Sequence, residues 1–368
     1  MFSSFVPVLL ADRLSEDEES APCTLRTMLW RPTFSKSATL QVRFGYAVVG
    51  LGHIAEYFLK GLRDSPTVAV TTLVSGDPVK AARLARRYGV PRVVGYDQMD
   101  SLRDDITVDA VYIATPVSTH RQLTERGAAA GKHVLCEKPL AATAADAVAM
   151  IAACRAAGVV LSVAYRCPHD PMHVRARELV RSGALGRVLR IESAYGIKLG
   201  GGWRTDPALA GGGSLYDVGI YCLNAARYLL GEDPVRVSHA QAVRDERGLE
   251  REVQWTSEFA SGAKAVCTSS YVREMADTLR IVGERGWLQL APAFGHRERF
   301  RLRGEVDGQT IDERTPKSLA SHFRLEAEHL AAVVRGSATL LTPGEDGLAD
   351  MVAMEAIYAA AHNPDPTR

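Results

Sequence analysis

No apolar stretch in this chain is long enough to cross a bilayer. The longest, such as residues 5–11 and 159–164, fall far short of the roughly 20 residues that a membrane-spanning helix needs. Charge of one sign is also lacking: 44 Lys plus Arg face 43 Asp plus Glu, for a formal net charge of +1, and no long block could hold a polyanion. Nucleic acid and membrane are therefore not expected partners. Cys23, Cys136, Cys154, Cys167, Cys222 and Cys267 form no C-x-x-C pair, which argues against a zinc knuckle or a disulfide framework and for reduced thiols in a cytoplasm. The ten histidines are read as giving no metal-ligand spacing, so no metal is expected. At the N-terminus, apolar residues 2–11 have no preceding positive charge and are followed by the acidic run 16–19, the wrong order for an export signal. Residues 1–27 read as a tail, with Met28 as an alternative start.

What is present is chain enough for about two domains: 368 residues, 46% of them hydrophobic. From Arg43, short β-branched runs alternate with helical patterns, predicting strands at 44–49, 68–74, 92–94, 110–114, 133–136 and 159–163 and helices at 53–63, 78–88, 119–130 and 144–157. Six strands with intervening helices make one doubly wound α/β domain over 43–164, preceded by a tail or arm at 1–42. Beyond Tyr165 the texture changes to an α+β one. Helices are predicted at 172–181 and 215–230, and a strand at 188–195. An antiparallel meander follows at 235–243, 252–259, 263–270, 278–282, 287–290 and 300–303, and helices at 323–334 and 348–361 close the chain. Residues 165–368 thus form a second domain on a large, mainly antiparallel open sheet, more sheet than its helices can cover. A homodimer or homotetramer is the expected consequence.

Val49-Gly50-Leu51-Gly52-His53-Ile54-Ala55 ends a strand and opens a helix. Gly50 can make the tight turn, Gly52 lets a pyrophosphate approach the backbone, and Ala55 permits close helix packing. The second strand ends in Ser75-Gly76-Asp77-Pro78-Val79-Lys80, with no acid at Ser75 to take a ribose 2′-hydroxyl. A hydroxyl, a backbone amide and Lys80 favour the 2′-phosphate of NADP, with NAD and Asp77 as the alternative; the competing local reading makes Ser75 a helix cap and Lys80 a solvated charge.

Two further segments carry chemistry. Glu137-Lys138-Pro139 follows the fifth strand at the sheet edge where open α/β sheets bind ligands, and Lys138 is one of only eight lysines in the chain. Its compact ammonium responds to burial, which a guanidinium does not. Gly211-Gly212-Gly213-Ser214 leads into a helix on which Asp217 and Tyr221, four apart, share a face. The bland alternative has Ser214 as N-cap with Asp217 completing a capping arrangement, and Tyr221 in the core.

Taken together, Gly50 to Ala55, Glu137-Lys138-Pro139, Tyr165-Arg166 and Asp217-Val218-Gly219-Ile220-Tyr221 resemble the superfamily of glucose-fructose oxidoreductase, inositol dehydrogenase and rhizopine-catabolism protein (Gfo/Idh/MocA). The likeness runs from about Phe44 to Ala361. It is closest to the glucose-fructose oxidoreductase branch, through residues 165–172 and 211–231, which include Asn224, Arg227 and Tyr228. The resemblance implies a Rossmann domain for NADP and a second domain for a sugar or polyol substrate and for subunit contact. It implies Gly50, Gly52, His53, Ile54, Ser75, Lys80, Tyr96, Thr115, Pro116, His120, Glu137, Lys138 and Arg166 at the cofactor, and Tyr165, Trp203, Arg204 and Tyr221 at the substrate. Lys138 would polarise the reacting oxygen, Tyr221 transfer its proton, and Asp217 orient substrate or lysine.

The expected reaction is hydride transfer between nicotinamide C4 and a secondary alcohol or ketone carbon. A free phenol titrates near 10, so Tyr221 needs nearby positive charge to act as base at neutral pH, and Lys138 supplies it. A dihydrodiol or xylose dehydrogenase-like enzyme is the same-class alternative. A non-catalytic dinucleotide-binding sensor is the alternative from another class.

Overall fold

The computed structural model describes residues 42–296, 299–317, 319 and 321–362. The tail reading of residues 1–27, the alternative start at Met28 and almost all of the expected arm lie outside them.

Strand β1 (Phe44–Val49) is buried at every position, as a strand covered on both faces must be. Around it the chain alternates α1 (His53–Leu62), β2 (Val68–Val74), α2 (Pro78–Tyr88), β3 (Arg92–Val94), β4 (Ala110–Ile113), α3 (His120–Ala129), β5 (His133–Glu137), α4 (Ala144–Ala156) and β6 (Leu161–Ala164). The strands are parallel in the order β3-β2-β1-β4-β5-β6. The order reverses between β1 and β4, so their carboxyl ends open a crevice.

The rest of the chain contributes α5 (Pro171–Arg181), β7 (Val188–Gly196), the short α6 (Pro207–Ala210), α7 (Ile220–Leu230), β8 (Pro234–Arg244), β9 (Glu250–Phe259), β10 (Lys264–Ser270), β11 (Met275–Gly283), β12 (Gly286–Leu290), β13 (Arg301–Val306), β14 (Gln309–Arg314), α8 (His322–Val334) and α9 (Gly344–His362). Eight strands pair as β14-β13-β12-β11-β7-β10-β9-β8. The expected meander is interrupted. β7 inserts between β10 and β11 and runs parallel to β10, while every other pair is antiparallel. Edge strand β14 was not expected, because its sequence Gln-Thr-Ile-Asp-Glu-Arg offers one large apolar residue. The Asp307-Gly308 turn, both residues at positive φ (48° and 77°), folds it back on β13.

The last two helices return to the parallel sheet. On α8, Phe323 stacks 5.9 Å from Tyr57 of α1, and the Ala327 carbonyl accepts the Tyr46 hydroxyl at 2.8 Å. Ahead of α9, the Thr342 carbonyl accepts the Val163 N–H at 2.8 Å. One core therefore joins α1, α2 and α8 to a face of the parallel sheet, and the other runs from the opposite face through α5, α7 and α9 into the eight-stranded sheet.

Candidate active site

Gly50 sits at φ +86°, and a Cβ there would lie 2.5 Å from the Thr115 side chain and 2.8 Å from the Ala114 carbonyl, so the turn needs glycine. Gly52 stands at the start of α1, and no side chain caps that helix. A Cβ on Gly52 would meet nothing nearer than 3.9 Å, leaving open space above first-turn N–H groups. These residues fit a dinucleotide diphosphate. His53 is exposed and edge-on to Tyr57 at 4.9 Å, while Ile54 is half-buried.

At the end of β2, Ser75 Oγ accepts the Asp77 N–H at 3.1 Å, and Asp77 Oδ1 accepts the Lys80 N–H at 2.9 Å. The cap of α2 is thus Asp77 rather than Ser75, so this acid already has a structural task. Lys80 is half-buried in the first turn, and the Tyr96 ring comes within 3.5 Å of where a Gly76 Cβ would stand. The Ser75 hydroxyl and the Tyr96 ring therefore border one loop, and Lys80 stands in the first turn of the helix that follows it.

Thr115 and Pro116 lie in the β4–α3 connection beside Gly50, with Thr115 bonded to Thr119 at 2.7 Å. His120 opens α3. It is 1% exposed, with Nδ1 3.0 and 3.2 Å from the Pro139 and Leu140 carbonyls and Nε2 3.1 Å from the Thr115 carbonyl. Both ring nitrogens face main-chain carbonyls, so whichever one carries the proton braces one of the two loops.

Lys138 emerges from the end of β5. Behind it, Glu137 accepts the Tyr112 hydroxyl at 2.6 Å and the Lys138 N–H at 3.2 Å. Lys138 Nζ donates to the Asp217 main-chain oxygen at 2.6 Å and to Asp217 Oδ1 at 3.1 Å, and stands 4.7 Å from the centre of the Tyr221 ring. Burial alone would favour the neutral amine, but Tyr221, Asp217 and Glu137 outweigh it and raise the pKa of Lys138. Asp217 Oδ2 accepts Arg204 Nε at 2.9 Å, and the Tyr271 hydroxyl also bonds this carboxylate. Burial disfavours the Asp217 charge, yet Lys138 and Arg204 prevail and hold its pKa at about 2. The Arg204 guanidinium lies over the Trp203 ring at 4.5 Å.

The continuous helix expected from residue 215 is not what forms. Leu215–Gly219 make a wide π turn, and the α-helix starts at Ile220. Asp217 and Tyr221 are brought together by Lys138, which touches both, rather than by α-helical spacing. Such turns are frequent at functional sites. Ser214 is no cap either; its Oγ pairs with Ser269 Oγ at 3.0 Å. The start of the turn is held by Glu250, whose Oε1 accepts from Gly213 N (2.8 Å), Leu215 N (3.1 Å) and the Tyr358 hydroxyl (2.6 Å). Gly213 allows this approach, since a Cβ there would lie 2.0 Å from the Glu250 carbonyl oxygen.

The two residues that follow β6 are both buried. Tyr165 is 2% exposed and its hydroxyl bonds Asp350, within a buried network where Asp350 also receives Asn224 Nδ2 at 2.9 Å and Arg227 Nη1 at 2.7 Å. It ties β6 to α9. Arg166, 5% exposed, gives Nη2 to the Tyr221 hydroxyl oxygen at 2.7 Å and to the Phe294 carbonyl at 3.2 Å. It thus joins the Tyr221 hydroxyl to the Phe294 main chain.

The histidine spacing also needs correction. His169 and His173 do stand as H-x-x-x-H, but their rings diverge, His169 to His329 (5.1 Å) and His173 to Phe300 (5.1 Å). Among the described residues, no three His, Cys, Asp or Glu side chains are grouped to hold a metal, and no helix is long and apolar enough to cross a membrane. Sequence reasoning missed Glu250 and Tyr271, which lie 33 and 54 residues beyond Asp217 and carry no local signature.

Residues 44–165 match the family model described as an oxidoreductase family with an NAD-binding Rossmann fold, and residues 173–289 match the GFO/IDH/MocA C-terminal domain. The chain belongs to this oxidoreductase family. Among Gfo/Idh/MocA relatives, the D-xylose 1-dehydrogenase (NADP(+)) 2 of Haloferax volcanii is 33% identical over 78% of this chain and 88% of its own length. The dTDP-3,4-didehydro-2,6-dideoxy-alpha-D-glucose 3-reductase of Streptomyces antibioticus is 32% identical over 87% and 97%. The crystal structure of aldose-aldose oxidoreductase from Caulobacter crescentus, complexed with glycerol, superposes with a TM-score of 0.83 at 38% identity, covering 87% of this chain and 98% of that one. The Gfo/Idh/MocA fold, a Rossmann-like parallel sheet followed by a mostly antiparallel sheet, and an oxidoreductase activity are thus established for this chain.

Proposed function

We propose that the protein is an NADP-dependent dehydrogenase or reductase that interconverts a secondary alcohol and a carbonyl on a sugar, polyol or related compound. Support for the substrate class comes from the relatives named above, whose names place them on xylose, on a deoxyhexose nucleotide and on aldoses. Support for the cofactor comes from Ser75, Lys80 and Tyr96 around a strand end without an acid, and from Asp77 being used as a cap. The nicotinamide supplies the hydride acceptor or donor.

The observation that carries the reading is the hydrogen-bond count of Lys138. An ammonium has three N–H donors, and two are spent on Asp217. The third is left to donate to the reacting oxygen of a substrate lying over the Tyr221 side. Asp217 fixes the ammonium and keeps it charged, Tyr221 takes the alcohol proton during oxidation and returns it during reduction, and Trp203 with Arg204 borders the substrate. The protein acts in the cytoplasm as a homodimer or homotetramer, which would cover apolar residues such as Val235 and Val243, 67% and 63% exposed on β8.

Initial rates on a panel of aldoses and polyols with NADP and NAD test this. Turnover should be selective for NADP, and Tyr221→Phe should lose roughly 10² to 10⁴ of rate. Lys138→Ala should lose a comparable factor, and the double variant less than the product of the two, because the residues act as one unit. Near-normal turnover of Tyr221→Phe with an unchanged pH profile would return the tyrosine to a packing role. Tight NADP binding without turnover on the whole panel would make the protein a dinucleotide sensor.

A further inference from the structure

The environment of the Tyr221 oxygen is asymmetric. A phenol oxygen carries one O–H and two lone pairs, and Arg166 Nη2 fills one of those lone pairs at 2.7 Å. The same Nη2 also donates to the Phe294 carbonyl at 3.2 Å, so the guanidinium is tied on the far side. Ring contacts fix the phenol as well: Tyr195 lies edge-on at 5.8 Å, Phe294 is tilted at 5.8 Å, and Lys138 Nζ is over the ring at 4.7 Å. With the buried side occupied by a donor that cannot accept, the phenol's own proton has the cleft side left to it.

We propose that Arg166 is the positioning residue of the proton transfer: it turns the Tyr221 hydroxyl proton into the cleft and steadies the negative charge on the oxygen when that proton is absent. This rests on the reading that Tyr221 transfers the proton. A guanidinium suits the task because it stays charged throughout the pH range of catalysis, so it can donate to the phenol oxygen but never compete for its proton.

The surroundings leave that charge directed at Tyr221. Facing Tyr221 are Lys138 from the end of β5, Arg166 after β6, Asp217 from the π turn, Arg204 bonded to Asp217, and Tyr195 from β7. Also near Arg166 are Glu326 on α8, Glu137 at the end of β5, Tyr112 on β4, His173 on α5, and Cys167. Glu326 is 2% exposed, and neither of its carboxylate oxygens has a hydrogen-bond partner among the described residues. Burial, and then the neighbouring Glu137, push its carboxyl well up toward the neutral form, with Arg166 opposing. Arg166 Nη1 is likewise buried and without a partner. Among the described residues no acid is hydrogen-bonded to this cation, and its short polar side-chain contact is the Tyr221 oxygen.

The experiment measures pH–rate profiles for kcat and kcat/KM in Arg166→Gln, Arg166→Lys, Tyr221→Phe and the Arg166→Gln/Tyr221→Phe double variant, with NADP affinity measured separately. In the oxidation direction, the limb that Tyr221→Phe abolishes should move to higher pH in Arg166→Gln and less so in Arg166→Lys. Turnover at neutral pH should fall roughly 10- to 10²-fold, the worth of a hydrogen bond to a charged group, with NADP affinity unchanged. In the Tyr221→Phe background, Arg166→Gln should cost almost nothing further. An unmoved limb in Arg166→Gln, a full additional loss in the double variant, or a loss confined to NADP affinity would overturn the assignment. If Arg166→Gln does not fold, Arg166→Lys, which keeps the buried charge, decides by the same limb. Retained activity in Tyr221→Phe strikes at the proposed function itself, whereas an abolished limb there with unaffected Arg166 variants strikes at this inference alone.

Discussion

Lys138 Nζ lies 2.6 Å from the main-chain oxygen of Asp217 and 3.1 Å from its carboxylate, so one acidic residue binds the ammonium through both its backbone and its side chain. Both groups are largely buried, with 10% and 15% of their side chains exposed. The pair is thus more than a surface ion pair, and removing one partner leaves the other charge poorly compensated.

Asp217→Asn tests this. The amide oxygen still accepts from Lys138, but the negative charge is gone. Burial, which opposes the ammonium, then gains on the remaining Tyr221 and Glu137, and the raised pKa of Lys138 comes down. Activity that depends on the ammonium should therefore be lost at lower pH on the alkaline side than in the wild type. Lys138→Arg should rescue poorly, since a flat guanidinium cannot place one donor between Asp217 and the substrate. An alkaline limb in Asp217→Asn that coincides with that of the wild type would show that the pairing does not govern Lys138.

Ser75→Asp addresses the cofactor. A carboxylate at the end of β2 would repel a 2′-phosphate and accept from a ribose 2′-hydroxyl. Preference should shift from NADP toward NAD, read as the ratio of kcat/KM for the two. Asp77→Ala should leave that preference nearly unchanged while destabilising α2, because Asp77 accepts the Lys80 N–H as helix cap. A wild type that binds NAD at least as tightly would return Asp77 to the ribose.

The parallel sheet was legible because its signals are local: β1, β2, β3 and α2 fall at the expected residues, where apolar runs and Gly50 turns dictate them. The order of the second sheet was not, since the pairing of β7 with both β10 and β11 joins segments about 74 to 95 residues apart. At the site, Lys138, Asp217 and Tyr221 were named from motifs, and the structure brings them together. The π turn was invisible, because its residues Leu-Tyr-Asp-Val-Gly read as an ordinary helix start. His120 and Tyr165 show the converse. Each sits in a motif beside the crevice, but burial turns its polar atoms to carbonyls or to Asp350.

His173 should make stability fall in acid. Its ring is 1% exposed and neither nitrogen has a partner among the described residues, and burial is the main cause that holds its pKa at about 4. That lies below the unfolded value near 6.5, so its contribution is present above about pH 6.5 and is lost as pH falls toward 4, up to about 3 kcal/mol. Asp350, raised to about 6 by burial, runs in the opposite direction. Its contribution is present below the ordinary aspartate range and lost as pH rises through 6, but it is common to both proteins in the comparison. His173→Phe, whose ring can keep the edge-on contact with Phe300, should therefore show a smaller drop in Tm between pH 7 and pH 5 than the wild type. Equal drops would place the acid sensitivity elsewhere.

Glu250 should matter to catalysis without touching substrate. It is 1% exposed, and its Oε1 holds two N–H groups at the start of the π turn and the Tyr358 hydroxyl. Burial raises its carboxyl pKa although those donors pull it down, so what the turn requires is an acceptor more than a charge. Glu250→Ala leaves these donors unpaired in the interior and should cost about 2–4 kcal/mol, read from denaturant unfolding. It should also lower kcat, since the loosened turn carries Asp217 and, through it, Lys138. Glu250→Gln keeps an acceptor at the same place and should retain most of both stability and turnover. If Gln proved as damaging as Ala, the charge rather than the acceptor would be what holds the turn. If Ala changed stability alone, the π turn would be rigid without Glu250, and Ser214 with Ser269 would be the contact to test next.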